Sequence, residues 1–177
     1  LVVGTLLITL LRHADRVKIA CLAQLVNVIA PVMTEPMGKA WVQTIYYPFL
    51  HASTYGRGTA LRTAIEVPTY ESKKLGYIPY LTAVTVFNQE AAELTLFAVN
   101  RHTDRPTALS CRLSGFDAFV PREHLILDGK DLKAKNSAQR QSVAPRTGQR
   151  PAHDSGLVTA ILPPLSWNVI RLSPQGG

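Results

Sequence analysis

The chain has 177 residues, with 19 Lys and Arg against 12 Asp and Glu, a formal net charge of +7, and an apolar fraction of 46%. That apolar content supports a packed core and excludes a largely disordered chain. The length allows one domain, or one domain plus part of another. Cys21 and Cys111 are too few for a disulfide framework or a Cys-rich zinc site. They read as buried thiols in a reducing compartment, with one bridge between them as the alternative.

Leu1–Ala14 is helical in period and nearly apolar all round. Its longest apolar run, Leu1–Leu11, is shorter than the roughly 20 residues a bilayer needs, so no membrane partner is expected. No basic region precedes it and no small-residue cleavage site follows, which argues against a signal peptide. A buried helix at the first residue, with no Met and no lead-in, suggests that the true start lies upstream.

After Asp15 and Arg16 comes VKIACL (Val17–Leu22), short, β-branched and apolar, which predicts a buried strand. Ala23–Lys39 holds Pro31, Pro36 and Gly38 and reads as loop. Trp41–Ala52 predicts a second helix, with Pro48 as a kink or break. Helix, strand, long loop and helix in that order form an α/β unit. Thr54–Leu61 is a Gly-containing connector.

From Arg62 to Leu132 the pattern turns to β. Leu81–Asn88, Glu93–Arg101, Thr107–Leu113 and His124–Asp128 predict strands, the first two joined by a link of hairpin length. Asn136–Ser155 is polar. Leu157–Leu162 and Ser166–Leu172 follow as two more strands, and their closeness across Pro163-Pro164 predicts a closing antiparallel hairpin. Short strands with turns between them indicate a β-sandwich.

Residues 121–150 carry seven basic side chains (Arg122, Lys130, Lys133, Lys135, Arg140, Arg146 and Arg150) against Glu123, Asp128 and Asp131. Such a cluster can mark a nucleic-acid footprint. No aromatic residue is interleaved for base stacking, so a solvated loop face is expected and no nucleic-acid partner.

No complete active site can be assembled from these residues. There is no G-x-S-x-G elbow, P-loop or H-E-x-x-H. The five histidines (13, 51, 102, 124 and 153) are scattered, so no metal and no cofactor is expected. Glu35 reads as a loop or capping acid, and Glu66, Glu71, Glu90 and Glu93 as surface charges. Gln24 and Asn27 remain, directly after VKIACL. Reacting faces of (β/α) barrels lie at the C-terminal ends of the strands, and an amide there both donates to and accepts from sugar hydroxyls. The plainer alternative is that both satisfy loop backbone. Trp41 and Trp167 read as core residues rather than sugar-stacking platforms.

The segment ADRVKIACLAQLVNVIAPVMTEPMGKAWVQTIYYPFLHASTYGRGTAL (Ala14–Leu61) closely resembles the end of the catalytic barrel in α-L-arabinofuranosidases of glycoside hydrolase family fifty-one. Leu94–His102, Glu123–Ser137 and Leu162–Leu172 resemble that family's C-terminal β-sandwich. The resemblance implies an α+β composite: the terminal piece of a (β/α)8 barrel over residues 1–58, then an antiparallel jelly-roll-like β-sandwich over 59–177. Leu1–Ala14 would be the seventh barrel helix and Val17–Leu22 the eighth strand. It implies retaining hydrolysis of terminal α-L-arabinofuranosyl groups from arabinan, arabinoxylan or their oligosaccharides, in a cytoplasmic homo-oligomer, a hexamer by resemblance. Retaining chemistry uses two carboxyl groups about 5–5.5 Å apart. In the family both are glutamates on earlier strands, upstream of Leu1, so the rest of the barrel is an implied partner and the isolated chain is expected to be inactive. The family glutamine that hydrogen-bonds the arabinose falls on Gln24, with Asn27 as a neighbouring substrate-binding candidate. Met37 stands where the family commonly has Gly; if that position needs a positive φ, Met is strained there. The family sandwich also borrows strands from the extreme N-terminus, so an unpaired sheet edge and exposed apolar barrel surface are expected. The rival reading is a non-catalytic carbohydrate-binding sandwich, which an exposed row of aromatic residues would support.

Overall fold

The computed structural model describes residues 1–129 and 131–176. Two helices, α1 (Val2–Arg12) and α2 (Tyr46–Tyr55), flank a small hairpin of β1 (Val32–Thr34) and β2 (Ala40–Val42). Eleven strands follow: β3 (Thr59–Leu61), β4 (Thr69–Ser72), β5 (Gly76–Pro79), β6 (Leu81–Asn88), β7 (Glu93–Asn100), β8 (Thr107–Arg112), β9 (Phe119–Leu127), β10 (Arg146–Thr147), β11 (Ala152–Asp154), β12 (Leu157–Leu162) and β13 (Ser166–Pro174). They form a six-stranded sheet ordered β10-β9-β13-β7-β6-β3, a three-stranded sheet ordered β11-β12-β8, and the separate β4–β5 hairpin. All these strand pairings are antiparallel.

The larger sheet is covered on both faces, which explains why its central strands are nearly continuous in apolar residues. In β7, Leu94, Leu96 and Ala98 point between the two sheets and meet Leu109, Leu113, Val158, Ala160 and Leu162. The alternate residues Phe97 and Val99 point the other way, with Val84, Val86, Trp167 and Val169, and meet Ile8 of α1. A strand buried on both sides loses the polar alternation of a half-exposed one. Phe97 and Trp167 stack with ring centroids 5.5 Å apart. Gly4 makes the close approach of α1 to the sheet feasible, since a Cβ there would stand 2.6 Å from Trp167 Cε3.

Further bonds tie the helices to the sheet. The Arg12 Nε and Nη2 donate to the Ala83 carbonyl at 3.1 and 2.7 Å, and Arg101 Nη2 donates to Thr5 Oγ1 at 3.1 Å. Asn136, buried, donates to the Val42 and Val143 carbonyls and accepts from the Val143 N–H. It thereby fastens the polar 136–155 stretch to β2.

Several expectations need correction. Val17–Leu22 forms no strand and Ile19 is 84% exposed; a central parallel strand needs a neighbour on each side, and none pairs with it among the described residues. Cys21, on that segment, is exposed rather than buried, while Cys111 is half-buried and both thiols are free. Trp41 does not begin a helix but lies in β2 opposite Met33. The helix starts at Tyr46, so Pro48 falls in the first turn, where an N–H has no intrahelical partner. Leu157–Leu162 and Ser166–Leu172 do not close a hairpin. β12 pairs with β8 and β11, whereas β13 pairs with β7 and β9. Pro163 and Pro164 supply no N–H donors, Leu165 takes φ +48°, and the chain arches from one sheet to the other.

Other elements were hidden by composition. The connector ends in β3, which Gly58 admits with φ +129°, where a Cβ would run into the Phe87 carbonyl. β9 begins at Phe119, earlier than the 124–128 pattern indicated, with Pro121 beside the register shift at Arg171/Leu172. β10 and β11 lie inside the polar stretch. The molecule is mostly β-sheet with few helices, as the sandwich expectation required; no barrel is formed by the described residues.

Candidate functional site

The segment between α1 and the β1–β2 hairpin carries both amides singled out above. It leaves α1 through the Val17 N–H, which donates to His13 O at 2.8 Å. The next backbone fixed point is the single parallel bridge Val26–Val32. Gln24 lies between these points with φ +57°, exposed, and its amide has no hydrogen-bond partner among the described residues.

Asn27 is placed differently. Its N–H donates to Val32 O at 2.8 Å and its carbonyl accepts from the Ala30 N–H at 2.8 Å. Its Oδ1 accepts the Thr34 N–H at 2.7 Å, and its Nδ2 donates to Thr34 Oγ1 at 2.9 Å. Both backbone groups and both ends of the side-chain amide are thus engaged. Residues 24, 27 and 28 all have positive φ, at +57°, +63° and +55°. Asn adopts this region readily, but for β-branched Val28 it is strained.

The hairpin turn holds Glu35, Pro36, Met37 and Gly38, closed by Glu35 N–H to Lys39 O at 3.0 Å and Gly38 N–H to Glu35 O at 3.0 Å. Met37 has φ +54° and is fully exposed, the backbone conformation that disfavours Met and suits Gly. Glu35 is an acid of this turn. Among the described residues no group of three or more His, Cys, Asp or Glu could hold a metal, and no helix is long and apolar enough to cross a membrane. Trp41 is half-buried and its indole N–H lacks a partner among the described residues, whereas Trp167 is a core residue, 1% exposed.

Two polar clusters that composition did not single out lie against the larger sheet. Arg171 bonds Glu93 through Nε at 2.9 Å and Nη2 at 2.6 Å, and Glu123 through Nη1 at 2.9 Å. Tyr55 covers its guanidinium, with Cζ 4.4 Å from the ring centroid. These carboxylates raise the Arg171 pKa, so Glu93 is a structural ion-pair partner rather than a surface charge. A charged arginine inside the SWNVIRL strand pattern is the available signal. The second cluster is buried His51, whose Nδ1 lies 3.1 Å from Trp167 Nε1. An indole only donates, so Nδ1 must accept and His51 is neutral. Burial lowers its pKa, against a smaller raising effect from Glu123.

Three of the seven basic side chains in 121–150 are committed to the fold. Arg122 bonds Ser173 and the Pro174 carbonyl, Arg146 pairs with Asp128, and Arg150 donates to the Pro121 carbonyl. Lys130 lies outside the described residues.

An antiparallel β-sandwich with two helices on its larger sheet is the module these elements define. Residues 1–166 match the family described as Alpha-L-arabinofuranosidase C-terminal domain, and the chain belongs to that family. It is 54% identical, over 99% of its length and 35% of the relative's, to an intracellular exo-alpha-(1->5)-L-arabinofuranosidase of Halalkalibacterium halodurans. It is 51% identical, over 99% of its length and 35% of the relative's, to intracellular exo-alpha-(1->5)-L-arabinofuranosidase 1 of Bacillus subtilis. Among solved structures, a family 51 alpha-L-arabinofuranosidase from Bifidobacterium longum superposes with TM-score 0.90 at 39% identity, covering 97% of this chain and 33% of that one. The chain spans about a third of the length of these relatives.

Proposed function

We propose that this chain is the C-terminal part of a retaining, exo-acting α-L-arabinofuranosidase that releases terminal α-L-arabinofuranosyl groups from arabinan, arabinoxylan and arabino-oligosaccharides. The observation that carries this reading is the unbroken family match over residues 1–166, in a chain a third as long as relatives named for that activity. Residues 1–58 complete a (β/α)8 barrel and residues 59–177 form the sandwich. Val17–Leu22 becomes the eighth strand once paired on both sides, which removes Ile19 from water. Gln24, at the C-terminal end of that strand, donates to and accepts from furanose hydroxyls and so orients the sugar. The two carboxyl groups of retaining chemistry come from the rest of the barrel, and the enzyme works inside the cell as a homo-oligomer.

A non-catalytic carbohydrate-binding module would present aromatic rings on an open sheet face. Phe97 and Trp167 are instead buried, and Phe87, Phe116 and Phe119 pack on one another, with centroids 4.9 to 6.1 Å apart. The test is hydrolysis of 4-nitrophenyl α-L-arabinofuranoside. The 177-residue chain alone is expected to release no nitrophenol, and the protein encoded by the full reading frame around it to release it. Gln24→Ala in that longer protein raises KM by roughly tenfold, about the worth of one lost hydrogen bond in a polar site. Release by the isolated chain, or no release by the longer protein, overturns the proposal.

A further inference from the structure

We infer that Asn27 is a positioning residue for Gln24, holding the sugar-binding amide in place without touching the sugar. The inference rests on the reading of Gln24 just given. Between the Val17 N–H and the Val26–Val32 bridge no backbone hydrogen bond fixes the chain among the described residues, and that bridge, the nearest anchor downstream of Gln24, is closed by the Asn27 N–H on Val32 O. Its side chain stands in for a peptide unit. Oδ1 takes the Thr34 N–H at 2.7 Å as a strand carbonyl would, and Nδ2 closes a second bond to Thr34 Oγ1 at 2.9 Å. With its N–H on Val32 O and its carbonyl on the Ala30 N–H, Asn27 determines the turn from four directions. That redundancy holds Val28 at φ +55°, a conformation it would otherwise leave. Both ends of the Asn27 amide already hold a protein partner, so the residue serves the substrate through Gln24.

The experiment is a double-mutant cycle in the intact arabinofuranosidase that contains this chain. Asn27→Gly keeps the positive φ and deletes the clamp. It is expected to lower kcat/KM roughly tenfold, mainly through KM, because small displacements of a positioning group are costly. Asn27→Asp retains the acceptor for the Thr34 N–H and recovers part of the loss. Thr34→Val, which removes the other partner of the clamp, weakens the enzyme in the same direction. Gln24→Ala combined with Asn27→Gly is no worse than Gln24→Ala alone, since residues acting as one unit do not add. Additive losses would mean that Asn27 meets the sugar directly and would overturn the inference, as would an unchanged kcat/KM in Asn27→Gly when Gln24→Ala is impaired. If Asn27→Gly does not fold, Asn27→Asp and Thr34→Val carry the same cycle. If Gln24→Ala is itself unimpaired, the reading of Gln24 fails and this inference falls with it.

Discussion

The first 58 residues and the remainder of the molecule treat apolar side chains in opposite ways. Of the fourteen large hydrophobic residues exposed among the described positions, ten lie between Leu1 and Leu50, including Ile19, Val28 and Ile29. Of the twenty-three buried hydrophobic residues, only Leu7, Ile8, Ala30 and Tyr47 come from that region. Soluble surfaces seldom gather so much apolar area in one stretch unless something covers it. The sandwich completes its own core; the preceding region completes only the face it turns toward the sheet.

That contrast orders the expected effects of substitution. Trp167→Ala empties the layer shared by α1, α2 and the sheet, and should cost about 3–5 kcal/mol in denaturant unfolding of the chain. A loss below about 1 kcal/mol would mean that helices and sheet are not one packed unit. Arg171→Met removes the bonds to Glu93 and Glu123 beneath Tyr55. The site is partly exposed, so the expected cost is about 1–2 kcal/mol, read from the same curve.

Acid should loosen the same layer. The His51 pKa lies below its ordinary 6.5 because burial disfavours the charged ring, and that of buried His124 is lowered for the same reason. The unfolded chain therefore takes up protons more readily than the folded one. Stability is complete above about pH 6.5 and falls as the pH drops below it. His51→Gln keeps an acceptor for the Trp167 indole without a titrating group, so thermal unfolding from pH 7.5 to 5 should show a shallower decline, by about 1 kcal/mol or less. Met37→Gly relieves the φ +54° conformation and should stabilise the hairpin by roughly 0.5 kcal/mol after the flexibility cost of glycine. Ile19→Ser is expected to change the stability of the chain by less than about 0.5 kcal/mol. In the longer enzyme proposed above, the same substitution would be among the most damaging, and comparing the two measurements tests the proposed barrel strand.

How much could be read from the sequence follows the same division. β6 and β12 match their expected ends residue for residue, and β7 differs by one, because alternation and β-branched runs report a core that these strands make among themselves. VKIACL carries an equally clear strand pattern but has no neighbour here, since a pattern describes the environment a segment needs and not whether that environment is supplied. The Pro163-Pro164 arch departs from the expected hairpin because closeness in sequence does not dictate pairing. The difference shows in burial: residues 166–170 are buried on both faces, as in a central strand, while β12 alternates. For the candidate site, the place of Gln24 directly after VKIACL marks it as a candidate, and the resemblance supplies its proposed role. The engagement of Asn27 with Thr34 was not legible, because a side chain that imitates a peptide bond leaves no period in the sequence.

Gly4, resting on the Trp167 ring, sets a limit on how this protein can be taken apart. The helices act as the second cover of the large sheet, so a gene trimmed at residue 58 to transplant the sandwich would deliver a slab with Val84, Phe97, Val99 and Trp167 facing water. Any graft that is to stay in solution has to carry both helices with it.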